Sequence, residues 1–176
     1  RIIYKKVKNP YRNIAKNLSN NKIVAVIFGK SEVGPRALGS RSILADPRKK
    51  GNWLKVNRIK KREYWRPFAP VIIEKYFHKY FCDSPKRTPF MLFTSRVKSK
   101  LIPAVTHVDR TSRVQTVKDK KLPIYKILNL FYKFTNLPIL MNTSFNGPGE
   151  PIVETPYNAL NTFRKFYISL SIRIYL

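Results

Sequence analysis

The sequence predicts an α/β domain built on an open sheet. Three observations carry this. Ile23-Val24-Ala25-Val26-Ile27-Phe28 is a continuous β-branched apolar run, too short for a helix, and reads as a buried central strand. Strand-like and helix-like segments interleave along the chain with no repeat and no linker. A second apolar segment, Pro138-Ile139-Leu140-Met141, feeds directly into Asn142-Thr143-Ser144-Phe145-Asn146-Gly147. That polar string falls where open α/β sheets keep their ligands, beyond the C-terminal ends of strands.

The elements follow in order. Tyr11 to Leu18 forms a short amphipathic helix, with Ile14 and Leu18 four apart, and Ser19-Asn20-Asn21 breaks it. Gly29 ends the first strand, and a Gly/Pro-rich loop follows through Gly39. Asp46-Pro47 opens a helix over Lys49 to Lys60, with Trp53, Val56 and Ile59 on one face. Phe68 to Ile73 is strand-like after Pro67, and Glu74 to Phe81 supplies one or two helical turns. Further strands are expected at Pro89–Thr94, Ile102–Val105 and Arg113–Val117, the last two joined by a polar turn at Asp109-Arg110-Thr111. Pro123 suits the first turn of a helix reaching Asn136, with Ile127, Leu130, Phe131 and Phe134 at helical spacing. Thr155 caps a final helix that starts at Pro156 and carries Leu160 and Phe163.

Composition bounds the function. A chain of 176 residues with 43% hydrophobic content can bury a core as one domain and is not disordered. No apolar run approaches the roughly 18 residues of a membrane span. The opening Arg1-Ile2-Ile3-Tyr4-Lys5-Lys6 is too short in its apolar part for a signal peptide and lacks an initiating Met, so a trimmed piece of a longer protein is expected. One cysteine, Cys82, excludes an internal disulfide, fits a reducing cytoplasm and reads as a half-buried structural thiol beside Phe81. Two histidines and one cysteine give no metal site by spacing. The net charge of +27 comes from 36 Lys and Arg against nine Asp and Glu. The lysines are scattered, which implies unspecific polyanion binding at low salt, not a sequence-reading groove.

The chemistry-bearing residues fall in a few strings. Gly29 to Gly34 has the span of a P-loop, but Pro35 and Arg36 follow in place of Lys and Ser/Thr, so the lysine-driven phosphate cradle is absent. The turn presents Arg36 and Arg41 to a cleft or is simply a turn with surface arginines. Lys60 and Arg62 end a helix and Arg66 follows, so a turning backbone brings three cations to one spot; taken alone, such a run is more often a solvated face. Glu63 offsets part of the repulsion by pairing with Arg66 or Arg41. Asn142 to Asn146 combines two hydroxyls and two amides before Gly147-Pro148-Gly149. His107 and Asp109 point the same way if their segment is a strand, with Arg113 within reach of an anion and a structural role for His107.

Taken jointly, Glu32-Val33-Gly34-Pro35-Arg36-Ala37-Leu38-Gly39, Lys60-Lys61-Arg62-Glu63, Arg66-Pro67-Phe68-Ala69-Pro70, Pro103 to Asp109 and Asn142 to Asn146 resemble the C-terminal domain of the carbamoyltransferase family that includes nodulation and antibiotic O-carbamoyltransferases. The Lys-x-Arg and Ser-x-Asn words also resemble the YrdC-like fold. The resemblance covers about Ile23 to Phe163 and implies a YrdC-like open twisted sheet flanked by helices. It implies that ATP, with Mg²⁺ carried on the nucleotide, and carbamoyl phosphate form carbamoyl-adenylate. An N-terminal domain, which alone would hold iron or another metal, then passes the carbamoyl group to a small-molecule hydroxyl. On that reading Lys60, Arg62, Ser144 and Asn146 are the catalytic candidates, and Arg36, Arg41, Arg66, Arg113 and Thr143 bind substrate or nucleotide. A threonylcarbamoyl-adenylate synthase for tRNA and a non-catalytic nucleic-acid module are the alternatives. The chain departs from the family at Arg110, where glycine is usual, at Val33, where an aromatic residue is usual, and in the tail beyond Arg164.

Overall fold

The computed structural model describes residues 6–166 and 172–175. Helix α1 (Pro10–Ser19) starts at Asn9, whose side chain accepts from the Arg12 N–H, with Pro10 in the first turn. It leads into β1 (Ile23–Ile27), buried at every position. After the glycine loop comes β2 (Arg41–Ala45), then α2 (Gly51–Ile59), β3 (Ala69–Ile73), a 3₁₀ turn at Glu74–Tyr76 and the single turn α3 (Phe77–Tyr80). Strands β4 (Phe81–Cys82), β5 (Thr94–Val97) and β6 (Thr111–Arg113) form a small antiparallel sheet. The chain continues through β7 (Gln115–Val117), α4 (Pro123–Thr135), β8 (Ile139–Ser144), α5 (Pro156–Phe166) and β9 (Ile172–Tyr175).

The main sheet has the order β7-β3-β8-β2-β1-β9 and is mixed. Strand β8 runs antiparallel to both β2 and β3, β1 antiparallel to β2, while β7 and β9 add parallel edges. The register fixes where the functional strings lie. Ser144 pairs with Ser42, Asn142 with Ala69, Ile27 with Arg41 and Val71 with Gln115. One end of the sheet therefore gathers the exit of β1, the entries of β2, β3 and β7 and the exit of β8. Helices α1 and α4 pack on each other and against the sheet.

Several expectations change. Strand β2 escaped prediction because it opens with Arg41 and Ser42, polar residues that are nonetheless buried. Pro89–Thr94 is not a strand. Met91 adopts a left-handed φ of 57°, so the pleat breaks, Met91 turns inward and Phe90 and Leu92 face solvent before β5 begins at Thr94. Ile102–Val105 is a 3₁₀ turn at Pro103–Val105, since proline brings no N–H to a ladder and suits a first turn. Arg113–Val117 is two strands, because the chain crosses at buried Val114 from the small sheet to the main one. In α4 the buried stripe is Ile124, Ile127, Leu128 and Phe131; Leu130 lies at its margin and Phe134 is 40% exposed. The divergent tail is described only in part, with Tyr167 to Ser171 and Leu176 outside the described residues, as are Arg1 to Lys5. Among the described residues no helix is long and apolar enough to cross a membrane, and no group of His, Cys, Asp and Glu is placed to hold a metal.

Arg110, at the position where the resemblance leads glycine to be expected, takes a φ of 63°. A left-handed L-residue costs about 1–2 kcal/mol, against roughly 0.5–1 kcal/mol of extra unfolded-state freedom for glycine. Arg110→Gly is expected to stabilise the chain by about 0.5–1 kcal/mol, read as a higher midpoint in thermal or urea unfolding. A lowered midpoint would contradict the left-handed turn.

Candidate functional site

The site is built where α2 meets the end of β8. Lys60 is the C-cap of α2 and only 6% exposed. Its ammonium donates to the Ser144 carbonyl at 2.7 Å, the Asn146 carbonyl at 3.1 Å and Asn146 Oδ1 at 2.8 Å, with Ser144 Oγ at 3.5 Å. Ser144 Oγ donates to Asn146 Oδ1 at 2.7 Å, and Asn146 Nδ2 donates to the Glu150 carbonyl at 2.7 Å. The two words of the sequence thus form one network. All of its acceptors are neutral oxygens, so burial and then the Arg62 guanidinium push the Lys60 pKa down to about 7.

Lys61, at a φ of 45°, turns the chain so that Arg62 comes back beside the helix end. Arg62 Nε donates to Asn57 Oδ1 at 2.6 Å, and its guanidinium lies 4.4 Å over the Phe68 ring. Burial, then Arg66, lower its pKa to about 10, with Glu63 opposing. Arg66 pairs with Glu63 at 2.7 Å, both about half exposed. Buried Asn57 also donates to the carbonyls of Tyr64 and Arg66, at 3.2 and 3.0 Å, and so shapes the turn that carries these cations.

A second cationic group stands at the entry to β7. Arg113 is lowered by burial and then by Arg36, and its buried Nε has no hydrogen-bond partner. Among the described residues neither Arg113 nor Arg36 has a carboxylate partner. Gln115 and Asn142 brace the glycine loop from the sheet: Gln115 Nε2 donates to the Leu38 carbonyl at 2.7 Å, Asn142 Nδ2 to the Ala37 carbonyl at 3.0 Å, and Asn142 Nδ2 to Gln115 Oε1 at 2.9 Å.

Two cavities flank this region. One of about 840 Å³ is walled by Trp53, Trp65, Phe68, Val105 and His107, with Lys98 and Lys100 also lining it. The other, about 430 Å³, is lined by Glu32, Pro35, Asn146 and Glu154 among others. Phe68, beneath Arg62, lines the first, and Asn146, bonded to Lys60, lines the second.

Of the expected residues, Lys60, Ser144 and Asn146 come together directly, Arg62 and Arg66 adjoin them, and Arg36 and Arg113 form the second group. Arg41 does not face a cleft. It is 4% exposed and donates to the carbonyls of Glu154, Phe28, Ser40 and Gly29 at 2.9–3.2 Å, tying the loop down. Thr143 alternates with Ser144 along β8 and so points to the opposite face of the sheet. His107 and Asp109 do not share a strand face. They lie in a turn closed by His107 N–H to the Thr111 carbonyl, where Asp109 Oδ1 accepts from the Thr111 N–H at 2.9 Å. Burial lowers the His107 pKa, in keeping with a structural role. Cys82 is half-buried, as expected. Glu32, Asn57 and Gln115 received no role from the sequence; only Glu32 carried a signal, as the first residue of a motif string.

The carbamoyltransferase C-terminus family model matches residues 15–172. Over 153 residues the chain is 47% identical to nodulation protein NolO of Bradyrhizobium diazoefficiens, covering 83% of this chain and 28% of that protein. It is 41% identical over 143 residues to the 3'-hydroxymethylcephem-O-carbamoyltransferase of Amycolatopsis lactamdurans, covering 78% and 26%. The chain thus spans about a quarter of the length of these relatives. Full-length HypF in its phosphate- and nucleotide-bound form superposes with a TM-score of 0.66 at 20% identity, over 98% of this chain and 23% of HypF. P. abyssi Sua5 complexed with L-threonine gives a TM-score of 0.64 at 14% identity, over 97% and 48%. These two likenesses establish the YrdC-like fold.

The Lys60 environment sets a pH dependence. Its folded pKa of about 7 lies below the ordinary 10.5, so between those values the unfolded chain binds more protons and stability rises with pH. Below about pH 7 the full cost of the buried ammonium is present. Relative to Lys60→Met, wild type is expected to gain roughly 2–4 kcal/mol between pH 7 and pH 10, measured by urea unfolding at each pH. A difference that stays constant across that range would show that Lys60 titrates normally.

Proposed function

The chain belongs to the carbamoyltransferase C-terminus family, and from that premise we propose that it performs the adenylate-forming half of O-carbamoylation. The observation that carries the reading is the junction of Lys60, Ser144 and Asn146 at the sheet end, with Arg62 beside it. ATP with its Mg²⁺ and carbamoyl phosphate are the substrates. For the atoms to balance, one water cleaves carbamoyl phosphate to carbamate and orthophosphate. A carbamate oxygen then attacks the α-phosphorus of ATP, forming carbamoyl-adenylate and releasing pyrophosphate.

The demand on the protein is for fixed positive charge around the transferring phosphoryl group, with little covalent work by side chains. Arg113 and Arg36 offer guanidinium forks with no carboxylate to compete for them among the described residues, and Arg62, held through Nε by Asn57 and through Nη2 by the Pro67 carbonyl at 3.4 Å, offers its remaining N–H groups. Lys60 acts first by position, holding the 144–146 turn, and exchanges its bond to Asn146 Oδ1 for a phosphate oxygen as charge develops. Ser144 Oγ, whose single hydrogen is donated to Asn146 Oδ1 in the resting site, rotates to donate it to the same group. Arg41 and Thr143 take no part. Transfer to a hydroxyl acceptor, and the metal that assists it, fall to the remaining part of a longer protein.

Arg113→Ala and Arg62→Ala are each expected to weaken ATP binding by about 10-fold or more, since charge-assisted hydrogen bonds contribute about 1.5–3 kcal/mol. Ser144→Ala is expected to slow pyrophosphate release by roughly 10- to 1000-fold with carbamoyl phosphate, ATP and Mg²⁺ supplied. Calorimetry and a coupled pyrophosphate assay measure these effects. Unchanged ATP affinity in both arginine variants, or unchanged pyrophosphate release in Ser144→Ala, would refute the assignment.

A further inference from the structure

The loop between β1 and β2 holds a carboxylate whose two oxygens have different surroundings. Glu32 Oε1 accepts from the backbone N–H groups of Leu38 and Ser40 at 2.7 Å each and from that of Arg41 at 3.3 Å. These donors fix the plane of the group. Glu32 Oε2 is buried and has no hydrogen-bond partner. A carboxylate at neutral pH offers acceptors only, and a buried acceptor left unmatched is unfavourable, so this oxygen is complementary to an incoming N–H or O–H.

Its position says which. Glu32 and Asn146 line the same cavity of about 430 Å³, and Asn146 Oδ1 is the atom that accepts from both Lys60 and Ser144. Phosphate oxygens bring no donors to that place at neutral pH. The carbamoyl group brings an –NH₂. We propose that Glu32 is a specificity-determining residue whose Oε2 accepts an N–H of the carbamoyl amino group and so selects carbamoyl from acyl substrates of the same shape. The proposal rests on the adenylate-forming reading above.

Two stable phosphonates isolate the contact: phosphonoacetamide, which carries the amide, and (2-oxopropyl)phosphonate, its isostere with methyl in place of –NH₂. Calorimetric titration of the wild-type chain is expected to favour the amide by about 10- to 100-fold, the range of one charge-assisted hydrogen bond. In Glu32→Gln the three backbone donors keep the amide oxygen at the Oε1 position and place the –NH₂ at Oε2, donor against donor. The preference should then fall to within about threefold, while ATP affinity and the unfolding midpoint hold. Equal affinity of wild type for the two phosphonates overturns the proposal without recourse to any variant. So does a preference that persists in Glu32→Gln, or a loss of ATP affinity in that variant with the preference intact, which would assign the oxygen to a nucleotide hydroxyl or amine. A chain that binds ATP and neither phosphonate overturns this subsite alone. A chain that binds neither ATP nor the phosphonates overturns both readings.

Discussion

The ammonium group of Lys60, at the C-cap of helix α2, reaches the end of β8. The Lys60 Nζ reaches two backbone carbonyls and one side-chain amide of the 144–146 turn, and no carboxylate is among its partners. Three hydrogens meet neutral oxygens in a site shielded from water, an arrangement that satisfies geometry but leaves the charge uncompensated. That one constraint orders much around it. It fixes the turn in which Ser144 and Asn146 bond each other, holds the C-terminus of α2 over the sheet end, and places the Lys61 bend that swings Arg62 back alongside.

The arrangement gains meaning from the charge distribution. Nine acidic side chains face 36 basic ones, and among the described residues none of the nine forms an ion pair with Lys60, Arg62, Arg113 or Arg36. Glu63 reaches Arg66 where both are half exposed, a pair worth at most about 1 kcal/mol. Lys60, Arg62, Arg113 and Arg36 stand in two groups, and the pKa values of Lys60, Arg62 and Arg113 are lowered first by burial and then by a neighbouring cation. A protein tolerates such a cluster when a multivalent anion completes it. The one carboxylate built into the neighbouring loop, Glu32, accepts from its own backbone amides and forms no ion pair among the described residues.

Much of this was legible in the sequence. The strand at Ile23–Ile27 and the helix from Pro123 announced themselves by composition and period, and the Ser144–Asn146 word falls at the C-terminal end of a strand, although β8 runs on through Ser144 where the sequence placed its end near Met141. What stayed hidden depends on partners distant in the chain. The glycine turn left Arg41 either facing a cleft or on the surface; its acceptors, the carbonyls of Phe28, Gly29 and Glu154, come together only once the sheet has closed. Strand β2 was masked by the same residue. Thr143 and Ser144 are adjacent in sequence, yet the pleat sends them to opposite faces. Pro89–Thr94 has strand composition, but the left-handed Met91 breaks it. The joint pattern of motifs was more informative than any single one, because the register of β8 with β2 and β3 gathers those strings at one end of the sheet.

The central claim is that this end of the sheet receives the phosphates of a nucleotide. A crystal structure of the chain with a non-hydrolysable ATP analogue and Mg²⁺ tests it most directly. The account predicts phosphate oxygens within hydrogen-bonding distance of Arg113 and of Ser144 or Lys60, with the Glu32 loop unchanged. A triphosphate held only by the scattered surface lysines, with the Lys60–Ser144–Asn146 junction free of ligand, would contradict it.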